Sequence, residues 1–117
     1  MKIKASNVTT IAGPEGLLFH DLSSDQQQRW KSLLVPQLVS SGLVPLEYAG
    51  YIHDPCGYLV CENDRIVPTT SQESLMQGMK DAGAEVETWS RPWGHEAALA
   101  HPEELKKILL EFEKKSM

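Results

Sequence analysis

The sequence has 117 residues, 41% of them apolar and 23% charged, and carries a net charge of −5. That length supports one domain with a modest core, and the acidic balance speaks against a nucleic-acid surface, which needs basic patches to displace phosphate counterions. No stretch approaches the roughly 20 apolar residues of a membrane span, and Met1 to Thr10 lacks the apolar segment of a secretory leader, so a cytoplasmic chain without membrane or nucleic-acid partners is expected.

In chain order, Met1 to Asp21 has no helical period. Gly13-Pro14 and Glu15-Gly16 punctuate it, and Gly16-Leu17-Leu18-Phe19 reads as loop and short strand. Ser23 or Ser24 starts a helix, with Asp25 in its first turn. Trp30, Leu33 and Leu34 fall at i, i+3 and i+4 and give that helix an apolar stripe. Pro36 interrupts it, and a second short helix is expected over Gln37 to Ser41, ended by Gly42. Leu43 to Pro55 reads as loop.

The second half is more regular. Tyr58-Leu59-Val60-Cys61 is a continuous apolar run, suited to a strand buried on both faces of a parallel sheet. Thr70 or Ser71 caps a helix running to about Ala82, with Leu75, Met76, Met79 and Ala82 as its apolar stripe and Gly83 as its stop. Val86, Thr88 and Ser90 alternate with Glu85, Glu87 and Trp89, the pattern of a second strand. Pro102 opens a last helix at its favoured first position, with Leu105, Ile108, Leu109 and Phe112 as core face. Strand, helix, strand, helix is a right-handed βαβ unit with a covering helix, hence an α/β fold. Left as a two-strand sheet, its first strand presents an unpaired apolar edge. Self-association, or pairing with a missing N-terminal half, is the expected remedy.

Chemistry-bearing residues follow each strand. Asp64 comes after the first, in Cys61-Glu62-Asn63-Asp64-Arg65, and His95 after the second, in Pro92-Trp93-Gly94-His95-Glu96. Parallel strands place both at one sheet edge, the edge where such folds carry their sites. An aspartate there can hold a histidine's Nδ1–H, fix its tautomer and stabilise the imidazolium formed on proton uptake. The plain alternative is that Asp64 caps a turn and His95 is ordinary loop. Cys56 and Cys61 flank one strand and lack His or Cys company at ligand spacing, so both are expected reduced, with no metal and no cofactor. His101 reads as a helix-cap neighbour, and His20 and His53 as solvated loop residues, with contact to a substrate as the alternative for those two. Trp89 and Trp93 read as packing or as pocket wall.

Tyr58 to Pro68 (YLVCENDRIVP) resembles the strand-and-acid segment of α/β-hydrolases, closest to the methylesterase/hydroxynitrile lyase branch and its fungal secondary-metabolism relatives. In that family the acid stands four residues before a proline, as Asp64 stands before Pro68, and Gln72 also fits. Trp93-Gly94-His95 resembles the family's histidine loop. Leu18-Phe19-His20-Asp21-Leu22-Ser23, Trp30, Pro36-Gln37 and Tyr48-Ala49-Gly50 resemble its cap segment. The resemblance runs from about Gly16 to Glu113. It implies a truncated α/β-hydrolase fold: one partial domain over 1–117, with a mainly helical cap-like segment at 1–55 and a C-terminal βαβα unit at 56–117. It also implies Asp64 and His95 as catalytic acid and base, and a small ester or lactone-like metabolite as substrate.

The family's nucleophile is missing. No Gly-x-Ser-x-Gly elbow occurs anywhere in the sequence, and Ser40-Ser41-Gly42 lacks both a preceding strand and the first glycine. Three functions stay open: an esterase- or lactonase-like protein whose serine comes from elsewhere, an inactive remnant or binding module, and an acid–base isomerase or cyclase using the Asp–His pair alone.

Overall fold

Two six-residue strands organise the C-terminal half. In the computed structural model, which describes residues 8–38, 45 and 47–116, β3 (Cys56–Cys61) and β4 (Val86–Arg91) pair in parallel, with Cys56 opposite Val86 and Cys61 opposite Arg91. α3 (Thr69–Asp81) connects them, and α4 (Ala97–Ala100) and α5 (Pro102–Ser116) follow. Ahead of them lie β1 (Val8–Thr9), α1 (Pro14–Leu17), α2 (Ser24–Ser32) and β2 (Gln37–Leu38). The chain thus mixes helices and strands around a small parallel sheet, α/β at that level of description. None of the described helices is long and apolar enough to cross a membrane.

The local signals act as their chemistry dictates. Ser23 caps α2, its Oγ accepting from Gln26 N at 3.3 Å. α3 stops where Gly83 takes a left-handed φ of 98°, and the N–H groups of Gly83 and Ala84 satisfy the carbonyls of Lys80 and Met79. α3 begins one residue before the expected caps, with Pro68 at the N-cap and no side-chain bond there.

The first half departs from expectation. Gly16 to Phe19 is not a strand: Pro14 at the first helical position starts α1, and Leu18 N closes the turn on Pro14 O at 2.8 Å. Gln37 and Leu38 are not helical. They pair antiparallel with Thr9 and Val8, a long-range pairing that overrides a weak local preference. The expected end of that helix, Val39 to Gly42, including Ser40-Ser41-Gly42, lies outside the described residues. Among the described residues from 8 to 55, α1, α2, the β1–β2 pair and a 3-10 turn at Gly50–Ile52 are the regular elements. The α2 stripe is not buried either: Leu33 and Leu34 are exposed and Trp30 is half-buried.

The core is small. Cys61, Trp93, Ala97 and Ile108 form its cluster, with Leu59 and Trp89 packed against it, and Leu18, Phe19, Val60 and Met76 are also buried. Phe112 meets Trp89 edge-on at 5.8 Å. Only part of each helical stripe is used: Ile108 and Met76 are buried, while Leu75, Leu109 and Leu110 stay exposed. The radius of gyration is 16.6 Å, against about 13 Å for a compact domain of this size. The chain has apolar faces that the described residues do not cover.

The outer edge of β3 is partly closed by a side chain. Cys56 N and Glu62 N donate to Glu85 O and Arg91 O, so the even-numbered amides face β4 and those of Gly57, Leu59 and Cys61 face away. At Cys61 the buried amide of Gln72 stands in for a neighbouring strand. Its Oε1 accepts from Cys61 N at 3.0 Å, and its Nε2 donates to Cys61 O at 2.9 Å and to Val67 O at 2.8 Å.

Candidate active site

Both strands end in loops, and the loops are tied together before either functional side chain enters. Asn63 N donates to Trp93 O at 3.0 Å, and Asn63 Nδ2 donates to Pro92 O at 2.9 Å. Gln72 holds the far side of the acid loop through Val67 O. Asp64 and His95 therefore stand on one rim of the sheet, as the parallel topology predicts.

His95 Nδ1 donates to Asp64 Oδ2 at 2.9 Å. The other carboxylate oxygen, Oδ1, accepts from the backbone N–H groups of Ile66 at 2.8 Å and Val67 at 3.0 Å. The Asp64 side chain is 7% exposed and that of His95 32%. Burial alone pushes the Asp64 carboxyl up. The bonds from Val67, His95 and Ile66 outweigh it and hold the carboxyl below the usual aspartate range. Asp64 is thus an anchored carboxylate at neutral pH. Oriented by it, His95 carries its proton on Nδ1 and leaves Nε2 as the basic nitrogen, with no hydrogen-bond partner among the described residues.

Among the described residues no activated nucleophile accompanies the pair. Cys61 lies at the end of β3, but burial, then the charges of Asp64 and Asp21, push its thiol up, so it stays protonated. Burial, followed by the charges of Cys61 and Asp64, likewise raises the Tyr58 hydroxyl. Among the described residues no group of three or more His, Cys, Asp or Glu side chains is arranged to hold a metal ion. The groove lined by Cys56, Glu85, Val86 and Phe112 lies at the opposite end of the two strands from the Asp–His pair.

The other histidines separate. His53 stacks on Tyr48, with centroids 5.5 Å apart. His101 stacks on Trp93 at 4.4 Å and sits 3.4 Å from Asp21 Oδ2. His20 Nε2 donates to Asn63 O at 2.8 Å. Trp93 is core, and Trp89 packs against Phe112. Residues that the sequence left without a role include Asp21 and Gly94, linked by a bond across 73 positions. Gln72 is another, a polar residue on what reads as a solvated helix. Its single sequence signal was its place in the resemblance.

No family model matches the chain, and no solved structure matches it. The chain is similar to a probable hydrolase of Phoma sp., at 31% identity over 93 residues. That alignment takes in 79% of this chain and 38% of the relative, so the chain spans well under half of that protein's length.

Proposed function

We propose that this chain contributes the acid–histidine half of a hydrolase acting on small esters or lactones. His95 is the general base, and Asp64 orients and stabilises it. The observation that carries the reading is the 2.9 Å bond from His95 Nδ1 to an aspartate whose second oxygen is pinned by two backbone amides. An aspartate so held resists rotation and favours one imidazole tautomer, which is the requirement for a histidine that shuttles protons at Nε2. The similarity to a probable hydrolase supports the same direction.

The sequence has no serine elbow, so the attacking hydroxyl belongs outside these 117 residues. In the proposed step that hydroxyl attacks the acyl carbon while His95 Nε2 takes its proton. The imidazolium, steadied by Asp64, then returns the proton to the departing alkoxide. General-base assistance of this kind contributes about 10²–10⁴-fold.

The test supplies the hydroxyl. The purified chain is mixed with a 4-nitrophenyl ester of a short acyl group and trifluoroethanol as acceptor alcohol, and alcohol-dependent release of 4-nitrophenolate is followed. Wild type should exceed His95→Ala and Asp64→Asn by roughly tenfold or more, the lower reach of general-base assistance. Equal rates for the three proteins would reject the reading. A fluorophosphonate probe should leave the chain unlabelled, and labelling would reveal a nucleophile inside it.

A further inference from the structure

His20 and Asp21, in the loop between α1 and α2, touch both loops that carry the Asp–His pair, and neither takes part in the proposed proton transfer. Asp21 Oδ2 accepts at 2.9 Å from the N–H of Gly94, the residue immediately before His95. His20 Nε2 donates to Asn63 O at 2.8 Å, immediately before Asp64. We infer that Asp21, backed by His20, is a positioning residue that sets the His95 imidazole against Asp64; the inference rests on the acid–base role proposed for that pair.

The contacts close a ring. It runs from Asp21 to Gly94, through His95 and Asp64, and back by Asn63 to His20, next to where it began. Gly94 is the tight point. A Cβ there would lie 2.6 Å from His20 Nε2 and 3.0 Å from Asp21 Oδ1, so only glycine lets this backbone lie flush against the two side chains. Asp21 Oδ2 also faces His101 Nε2 at 3.4 Å, so the same oxygen anchors the start of α5 behind the histidine loop. Its partner oxygen, Oδ1, is buried with no hydrogen-bond donor among the described residues. An orphaned buried carboxylate oxygen opposes stability and calls for another role. Holding one peptide of the histidine loop is such a role, and small displacements of an oriented base are costly to catalysis.

The experiment reads the pair directly by NMR, in wild type, Asp21→Ala and Asp21→Asn. In Asp21→Ala the exchange of His95 Nδ1–H with water should accelerate by about tenfold or more, and the Asp64 carboxyl should titrate higher than in wild type. The sign is diagnostic, because deleting a neighbouring negative charge alone would move that carboxyl lower. Asp21→Asn keeps an oxygen for Gly94 N but not the charge, so it should restore slow exchange and leave the Asp64 carboxyl at or below its wild-type value. If Asp21→Ala does not fold, Gly94→Ala tests the same contact, and it should speed the exchange alike. Wild-type exchange and Asp64 titration in Asp21→Ala, or in a folded Gly94→Ala, would overturn the inference. These readouts do not depend on ester cleavage. Asp21-dependent exchange in a chain that cleaves no ester refutes the proposed function and upholds the positioning; cleavage with Asp21-independent exchange does the reverse.

Discussion

Replacing Gln72 by Ala should destabilise the chain more than any exposed substitution on α3. The side chain is 3% exposed and holds three backbone groups at once: Cys61 N, Cys61 O and Val67 O. Each buried backbone group left without a partner costs about 1–3 kcal/mol. Val67 O is only part-buried, so water can replace the amide there. Cys61 O keeps a bond from Asp64 N at 3.3 Å, so Cys61 N carries most of the loss, about 1–3 kcal/mol. That is a large fraction of the roughly 5–15 kcal/mol typical of a domain. Urea unfolding followed by tryptophan fluorescence reads it, with Trp93 buried in the core as reporter. The midpoint should fall with the slope unchanged. A loss under about 1 kcal/mol would mean that water or a rearranged strand edge serves Cys61 equally well, and that the amide is not a strand surrogate.

Two other outcomes follow from the site. The folded-state Asp64 carboxyl lies below its usual value, so its contribution is fully present above the unfolded aspartate pKa of about 3.9 and is lost as pH falls through the lower folded value. Urea midpoints measured from pH 6 downward should drop more steeply below about pH 4 in wild type than in Asp64→Asn, and parallel profiles would contradict the anchoring. Among the cysteines, Cys61 is buried with a raised thiol, while Cys56 is partly exposed. Iodoacetamide at neutral pH should therefore modify Cys56 first, as mass spectrometry of peptides would report; faster reaction at Cys61 would contradict its burial.

What could be read from the residues was what depends on near neighbours and topology. Ser23 announces the start of α2 and Gly83 the end of α3, because capping and positive φ are local demands. The apolar run into Cys61 and the alternation from Val86 to Ser90 give two strands. A helix between them makes the strands parallel, and parallel strands bring Asp64 to His95 across 31 positions. What stayed hidden depends on partners far away in sequence. Gln37 and Leu38 become extended only because Thr9 and Val8 pair with them. Leu33 and Leu34 repeat like a core stripe, yet nothing in the described chain covers them. Gln72 looks like a solvated helix residue until the strand edge beside it is known to lack a neighbour at Cys61. The bond from Gly94 to Asp21 has no local signature at all.

The proposed proton transfer depends on one imidazole and one carboxylate meeting with a defined tautomer. Long-range ¹H–¹⁵N NMR of the histidine side chains tests it most directly. At alkaline pH His95 should show a protonated, slowly exchanging Nδ1 and an unprotonated Nε2, and the Nδ1 proton signal should vanish in Asp64→Ala. A His95 protonated on Nε2, or an Nδ1 signal indifferent to Asp64→Ala, would contradict the account.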